Sequence, residues 1–208
     1  MSTLLHIQAS PRDGSVSHEV AREFLDAFWS AHPQWTIEAL DLFEHEIPAF
    51  TAPEARAKYA VLAGKEPEDD DARAWKEVIE VIDQFKRADV LLLSTPMWNF
   101  SIPYRLKQYI DVIVQPGLTF NYSPDTGYEG LVTGRPARLI LARGGDYSTD
   151  ETAAMDMQKS YLELVLGFIG FTDIHSVVVE PTLLGGPEVA EQKIKAASAE
   201  ARSIAAGL

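Results

Sequence analysis

The sequence predicts an α/β fold in which a parallel five-stranded sheet, strand order 2-1-3-4-5, carries helices on both faces. Short apolar runs alternate with longer amphipathic stretches along the chain, and β-α-β alternation builds a parallel sheet through right-handed crossovers. One run, Val90-Leu91-Leu92-Leu93, is apolar without a break. It is too short for a helix and suits a strand buried on both faces, as in a parallel sheet. No internal repeat or clear linker divides the 208 residues, so the chain is read as one domain, 1–208.

Thr3 to Gln8 form the first strand, and Ser10 to Gly14, with a Pro and a Gly, the loop after it. Ser15 or Ser17 caps the next helix, where Val20, Phe24, Leu25 and Phe28 recur at helical spacing until His32-Pro33 ends it. Trp35 to Leu42 give the second strand. Residues 43–69 look irregular and polar and run into Glu66-Pro67-Glu68-Asp69-Asp70-Asp71, a solvated loop or a helix start, where negative charge is favourable. Ala72 to Arg87 make a helix with Trp75, Val78, Ile79, Ile82 and Phe85 on one face. The third strand is the Val90 run, stopped by Ser94-Thr95-Pro96; Pro103 then sits in the first turn of a helix over Tyr104 to Val114. Residues 115–136, rich in Gly and Pro, form a long excursion, and loops beyond about 12 residues in compact domains are usually functional. Ala137 to Leu141 are the fourth strand, residues 150–169 a long helix, Ile174 to Val179 the fifth strand and 188–205 a final helix.

Composition narrows the function classes. A hydrophobic content of 46% supports a real core and argues against global disorder. A net charge of −13 makes a surface that repels phosphate backbones and anionic lipid, so neither nucleic acid nor a membrane is an expected partner. With no cysteine, disulfides, thiolate metal sites and cysteine nucleophiles are excluded. The amino terminus has no basic region followed by a long apolar segment, and no apolar run approaches the roughly 20 residues that span a bilayer. A cytoplasmic location is the expectation. The five histidines form no recognisable metal motif, no metal site is expected, and His6 and His175, on predicted strands, read as structural.

Three loops, after the first, third and fourth strands, fall at the carboxyl edge of the sheet, where ligands of open α/β folds bind. The first, Ser10-Pro11-Arg12-Asp13-Gly14-Ser15-Val16-Ser17, leads into a helix N-terminus. Free N–H groups and the helix dipole there favour a phosphate, with the Ser10, Ser15 and Ser17 hydroxyls as further donors. No lysine occurs before Lys58, so a phosphate would rest on amides, hydroxyls and Arg12; an ordinary capped turn is the alternative. The chain has no Gly-x-Gly pair and no P-loop motif, which favours a mononucleotide phosphate over a pyrophosphate. No Gly-x-Ser-x-Gly elbow supports a hydrolase. In the second loop, Met97-Trp98-Asn99-Phe100, the aromatics can contact a planar ligand such as a flavin and Asn99 can bond its polar edge; core packing is the alternative for the aromatics. In the third, Arg143-Gly144-Gly145-Asp146-Tyr147, paired glycines let backbone amides approach a ligand closely. Tyr147 can donate to a ring oxygen that gains charge on reduction; a plain turn is the alternative.

Together these segments resemble the FMN-dependent NADH-azoreductases, also described as FMN-dependent NADH:quinone oxidoreductases. The resemblance rests on Ser10 with Ser15-Val16-Ser17, on Pro96-Met97-Trp98-Asn99-Phe100-Ser101-Ile102-Pro103, and on Lys107-Gln108-Tyr109-Ile110-Asp111. It continues through Gly117-Leu118-Thr119-Phe120, Gly127-Tyr128-Glu129-Gly130-Leu131, Arg143-Gly144-Gly145 and Gly167-Phe168-Ile169-Gly170-Phe171, over essentially the whole chain. It implies a flavodoxin-like homodimer with one FMN per chain near the dimer interface. By this resemblance the serine loop, Val16 included, holds the phosphate, and Met97 to Phe100 with Ala142 to Gly145 line the isoalloxazine. Asn99 and Tyr147 assist catalysis, and Trp98 and Phe120 shape the substrate site, Phe120 across the interface. The chain has Trp98 where the family commonly has Tyr, and Ala142 where it commonly has Ser.

The activity so implied is a two-electron ping-pong transfer. NADH or NADPH reduces the flavin and leaves, and a quinone or azo compound takes the electrons, while the protein orients and polarises. Rival readings are a flavodoxin-like reductase of nitroaromatics or metal ions, an FMN electron carrier without its own substrate, and a binding module with an empty site. The excursion at 115–136 favours a built pocket over a carrier's exposed flavin edge. No ribose-reading acid or base is identifiable, so NADH and NADPH both stand as donors.

Overall fold

The computed structural model describes residues 2–208. Its elements are β1 (Thr3–Gln8), α1 (Val16–Ala31), β2 (Thr36–Asp41), α2 (Ala52–Leu62), α3 (Asp69–Arg87), β3 (Val90–Pro96) and α4 (Tyr104–Ile113). They continue with β4 (Phe120–Ser123), β5 (Gly127–Gly130), β6 (Pro136–Ala142), α5 (Lys159–Ile169), β7 (Asp173–Val179) and α6 (Pro187–Ala206). The main sheet has five parallel strands in the order β2-β1-β3-β6-β7. That is the predicted 2-1-3-4-5, with the hairpin β4–β5 inserted before its fourth strand. Leu4, Leu92, Ile140 and Val177 pack under α1 and α6 on one face; Leu5, Leu91, Leu93 and Leu139 pack under α3, α4 and α5 on the other. Every residue from Val90 to Thr95 is buried, as a central two-sided strand requires.

Several boundaries differ from the sequence expectations for local reasons. Residues 43–69 are not irregular throughout, because α2 lies within them. A capping box opens it: the Glu54 carboxylate accepts the Thr51 N–H at 2.6 Å and the Thr51 hydroxyl at 2.8 Å. Only Glu54 and Ala57 of α2 are buried, so no apolar stripe betrays the helix. The acidic run is a helix start, with Asp69, Asp70 and Asp71 in the first turn of α3. β3 continues through Ser94, Thr95 and Pro96, which pair with Ile140, Leu141 and Ala142. Pro103 is the N-cap of α4 and not a residue of its first turn.

The helix expected over 150–169 begins only at Lys159, preceded by a single 3₁₀ turn at Ala153–Met155. Asp156 sets the start: its Oδ1 accepts the N–H groups of Gln158 and Lys159 at 3.0 and 2.9 Å. The excursion at 115–136 holds the antiparallel hairpin β4–β5. It seats against the carboxyl end of α5, where a Cβ on Gly130 would lie 2.3 Å from the Gly170 nitrogen. The same segment touches the end of α3, whose Lys86 Nζ donates to the Leu118 carbonyl at 2.9 Å. Helix ends and strand starts meet there, so the hairpin belongs to the amino edge of the sheet.

Candidate functional site

At the carboxyl edge, the connection from β1 leaves toward β2 while β3 lies on its other side. This is the topological switch point, where open α/β sheets bind ligands. A cleft of about 370 Å³ opens there, within the ordinary range of ligand sites. Ser10, Pro11, Arg12, Ser15 and Val16 form one wall, and Pro96, Met97 and Trp98 at the end of β3 form another. Ala142 and Gly144 after β6, with Thr182 and Leu183 after β7, complete it.

The first wall ends in an unused helix N-terminus. Ser15 is the N-cap of α1, yet its side chain caps nothing; its Oγ lies 3.0 Å from the Ser17 Oγ. The first-turn N–H groups are left to a ligand, and the helix dipole favours an anion. Ser17 itself is fully buried and does not line the cleft. Below this loop, the His6 Nε2 lies 2.9 Å from the Ser94 Oγ. Burial, with His18 adding to it, pushes the pKa of His6 down to about 3, so the pair is neutral at pH 7. His175, by contrast, is half exposed on β7 and pairs with Glu200 at 3.1 Å.

The second wall is a strained turn. Asn99 and Phe100 have φ of +48° and +69°, and Trp98 and Ser101 exchange two backbone hydrogen bonds of 2.9 Å across them. Two consecutive left-handed residues make a tight hairpin turn whose second position favours glycine. A phenylalanine there costs of order 1–3 kcal/mol, and such strain clusters at functional sites. The turn sends its side chains apart. Trp98 lines the cleft and packs against Phe43 and Tyr104, with ring centroids at 5.8 and 6.2 Å. Asn99 lines a neighbouring opening of about 790 Å³ that also contains Trp98, Phe50, Tyr104 and Gln108. Phe100 meets the edge of the Tyr147 ring at 6.2 Å, and neither residue lines the first cleft.

Arg143 does not face the cleft. Its side chain, 2% exposed, is held between Asp156 at 2.8 Å and Glu180 at 3.2 Å, and its Nε donates to the Gln158 Oε1 at 3.0 Å. Glu180 Oε2 also accepts the Tyr147 N–H at 3.1 Å. The Arg143 carbonyl accepts the Thr182 N–H at 2.8 Å, and the Gly144 carbonyl accepts those of Leu183 and Leu184 at 3.0 Å. The loops after β6 and β7 therefore form one unit, and Arg143 fixes its shape. Gly144 lines the cleft; a Cβ there would come within 2.9 Å of the Leu183 Cδ1. Gly145 sits behind it against the Tyr147 ring, 3.4 Å from an added Cβ.

Phe120 is remote from this cleft within its own chain. It packs on Phe168 at 4.8 Å and Tyr128 at 6.1 Å at the amino edge, roughly 20 Å of strand away. The excursion at 115–136 thus does not wall the cleft of the same chain. Thr182 and Leu183 line the cleft although no sequence motif marks them. The rule that placed three loops at the carboxyl edge applies equally to the loop after the last strand, and that was the available signal.

A chain with this sheet order falls in the class of doubly wound, flavodoxin-like α/β proteins, and its cleft lies at the switch point where such folds bind ligands. The model of the flavodoxin-like fold family matches residues 2–205, and the chain belongs to that family. An FMN-dependent NADH:quinone oxidoreductase of Desulfotalea psychrophila is 48% identical over 206 residues, covering 99% of this chain and 97% of the relative. Among solved structures, an azoreductase from Bacillus anthracis superposes with a TM-score of 0.92 at 31% identity, covering 100% of both chains. An FMN-dependent NADH-azoreductase from the same species, in complex with FMN, gives a TM-score of 0.86 at 29% identity over 99% of this chain and 100% of the other.

Proposed function

We propose that this protein is an FMN-dependent NADH:quinone oxidoreductase that also reduces azo compounds, with its FMN at the β1/β3 switch point. The observation that carries the reading is one cleft with two unlike ends. One end is an uncapped helix N-terminus flanked by buried Ser10 and Ser15; the other is a slot between Met97, Trp98, Ala142 and Leu183. The first suits a phosphate and the second a flat aromatic ring, so the residues fit FMN.

Bound FMN would supply the two-electron chemistry between NADH or NADPH and the acceptor. The protein's part is to hold and polarise. Ser10, Ser15 and the amides of Val16 and Ser17 would hold the phosphate. Met97, Trp98 and Ala142 would flank the ring, and the amides of Gly144 and Gly145 would be the donors for its polar edge. Asn99, Phe100 and Tyr147 close the rim, where Tyr147 can donate to a ring oxygen. The acceptor enters beside Trp98, where the larger opening begins.

Homodimerisation and a cytoplasmic location belong to the same reading, as does work as one domain. Phe120 shapes the acceptor site only if a second copy brings it there. Tyr122, Tyr128 and Leu164, exposed around it, offer apolar surface for such a contact. No helix among the described residues is long and apolar enough to cross a membrane.

The test is FMN retention. Wild-type protein, loaded with FMN and dialysed, stays yellow. Gly144→Val, which places a branched side chain at the cleft wall and crowds Leu183, loses FMN affinity by roughly tenfold or more, the equivalent of about 1.4 kcal/mol. If FMN binds equally well to this variant and to an Asn99→Ala variant, the site is elsewhere.

A further inference from the structure

The ion cluster around Arg143 holds more negative charge than it balances. One guanidinium faces two carboxylates, Asp156 at 2.8 Å and Glu180 at 3.2 Å, and all three side chains are largely buried. Buried charge in excess is costly unless hydrogen-bond donors satisfy it. Backbone N–H groups supply them here. Asp156 Oδ1 accepts those of Gln158 and Lys159 at the start of α5, where the helix dipole favours a carboxylate. Glu180 stands at no helix start. It follows β7, and its Oε2 accepts the Tyr147 N–H at 3.1 Å.

That bond decides where Tyr147 stands. Among the described residues it is the only hydrogen bond from segment 145–152 to a residue outside 145–156. The others are local, such as Ser148 to Asp146 and Thr149 to Thr152. The Tyr147 ring then rests among three groups. The Phe100 ring meets it edge-on at 6.2 Å, and the Arg143 guanidinium carbon lies 6.0 Å from its centroid. Its hydroxyl lies 3.5 Å from a Cβ built on Gly145, so the phenol stands beside that glycine. Phe100 is held from the same cluster, because its carbonyl accepts the N–H of Met157, the neighbour of Asp156, at 2.9 Å. Both aromatics of the rim therefore hang from one buried set of charges.

We infer that Glu180 is a positioning residue for the polar edge of the flavin: it pins Tyr147 beside Gly145, so that the phenol donates to the ring oxygen that gains charge on reduction. The inference rests on the flavin reading. A donor fixed there in advance favours the reduced ring and raises the reduction potential of bound FMN. The carboxylate charge of Glu180 acts in the opposite sense, since a negative charge near the ring disfavours an anionic reduced form. Position and charge thus carry opposite signs and are separable by experiment.

Midpoint potentials of the FMN-loaded protein, from anaerobic titration against a reference dye, read the difference. Glu180→Gln removes the charge and keeps an acceptor for the Tyr147 N–H, whereas Glu180→Ala removes both. The potential of Glu180→Ala lies below that of Glu180→Gln by about 30 mV, a tenfold change for a two-electron couple. In a Tyr147→Phe background that difference disappears, because the group through which Glu180 acts is gone. Equal potentials for the two variants, or a difference that survives Tyr147→Phe, overturns the positioning role. If Glu180→Ala fails to hold FMN, Glu180→Asp takes its place. It keeps the charge but withdraws the acceptor by one methylene, so its potential falls below that of the wild type; an unchanged potential overturns the role. Wild-type protein that NADH bleaches and quinone reoxidises, with no difference among the variants, leaves the flavin reading standing. Wild-type protein that retains no FMN overturns the reading and the role together.

Discussion

Asn99 and Phe100 show what a sequence yields at the scale of one residue. An amide between aromatics at a strand end marks a binding loop, and that much was legible. Their left-handed backbone was not, because phenylalanine has no preference for it and only the Trp98–Ser101 pairing imposes it. The strain gives a prediction. Phe100→Gly relieves the positive φ and should raise the unfolding free energy of the apo-protein by up to about 1 kcal/mol. It should also weaken FMN binding, because the rim loses its contact with Tyr147. Urea denaturation and FMN titration of the same variant check both halves.

His6 provides a second residue-scale expectation. Its folded pKa lies near 3, below the ordinary 6.5, because it is buried. Between those values the unfolded chain binds the extra proton, so stability rises with pH across the window and is lost as pH falls. The slope is at most about 1.4 kcal/mol per pH unit for one such group. His6→Gln can keep the bond to Ser94 without titrating. Melting midpoints from pH 7 to 5 should fall less steeply in this variant, and equal slopes would contradict the assignment.

At the scale of elements, the sequence pattern located each strand of the main sheet and five of the six helices, and it failed where long-range pairing decides. α2 has no apolar stripe, although its Thr51-x-x-Glu54 box was readable. The start of α5 depends on Asp156, which also pairs with Arg143 from another loop; no local pattern announces that partnership. The same pairing moves Arg143 from the ligand to the scaffold. Arg143→Met should therefore leave Asp156 and Glu180 uncompensated and cost about 3–5 kcal/mol of stability by chemical denaturation. A loss confined to FMN binding, at unchanged stability, would return Arg143 to the cleft wall.

At the scale of the whole molecule, the sheet order was legible because alternation and a doubly buried central strand leave few topologies open. The order then assigned the site to the carboxyl edge, where the cleft lies. Topology also explains why Phe120 was harder to place. A residue at the amino edge of one chain can serve a carboxyl-edge site only through a second copy, and one chain's sequence does not contain that geometry. The central claim is that the switch-point cleft holds an FMN that a nicotinamide donor reduces and a quinone reoxidises. The direct measurement is the visible absorption spectrum of the FMN-reconstituted protein under anaerobic NADH, followed by benzoquinone. The account predicts bleaching by NADH and return of the oxidised spectrum with about one quinone per FMN, the stoichiometry of two-electron exchange. A bound flavin that NADH does not bleach, or a protein that binds none, would contradict it.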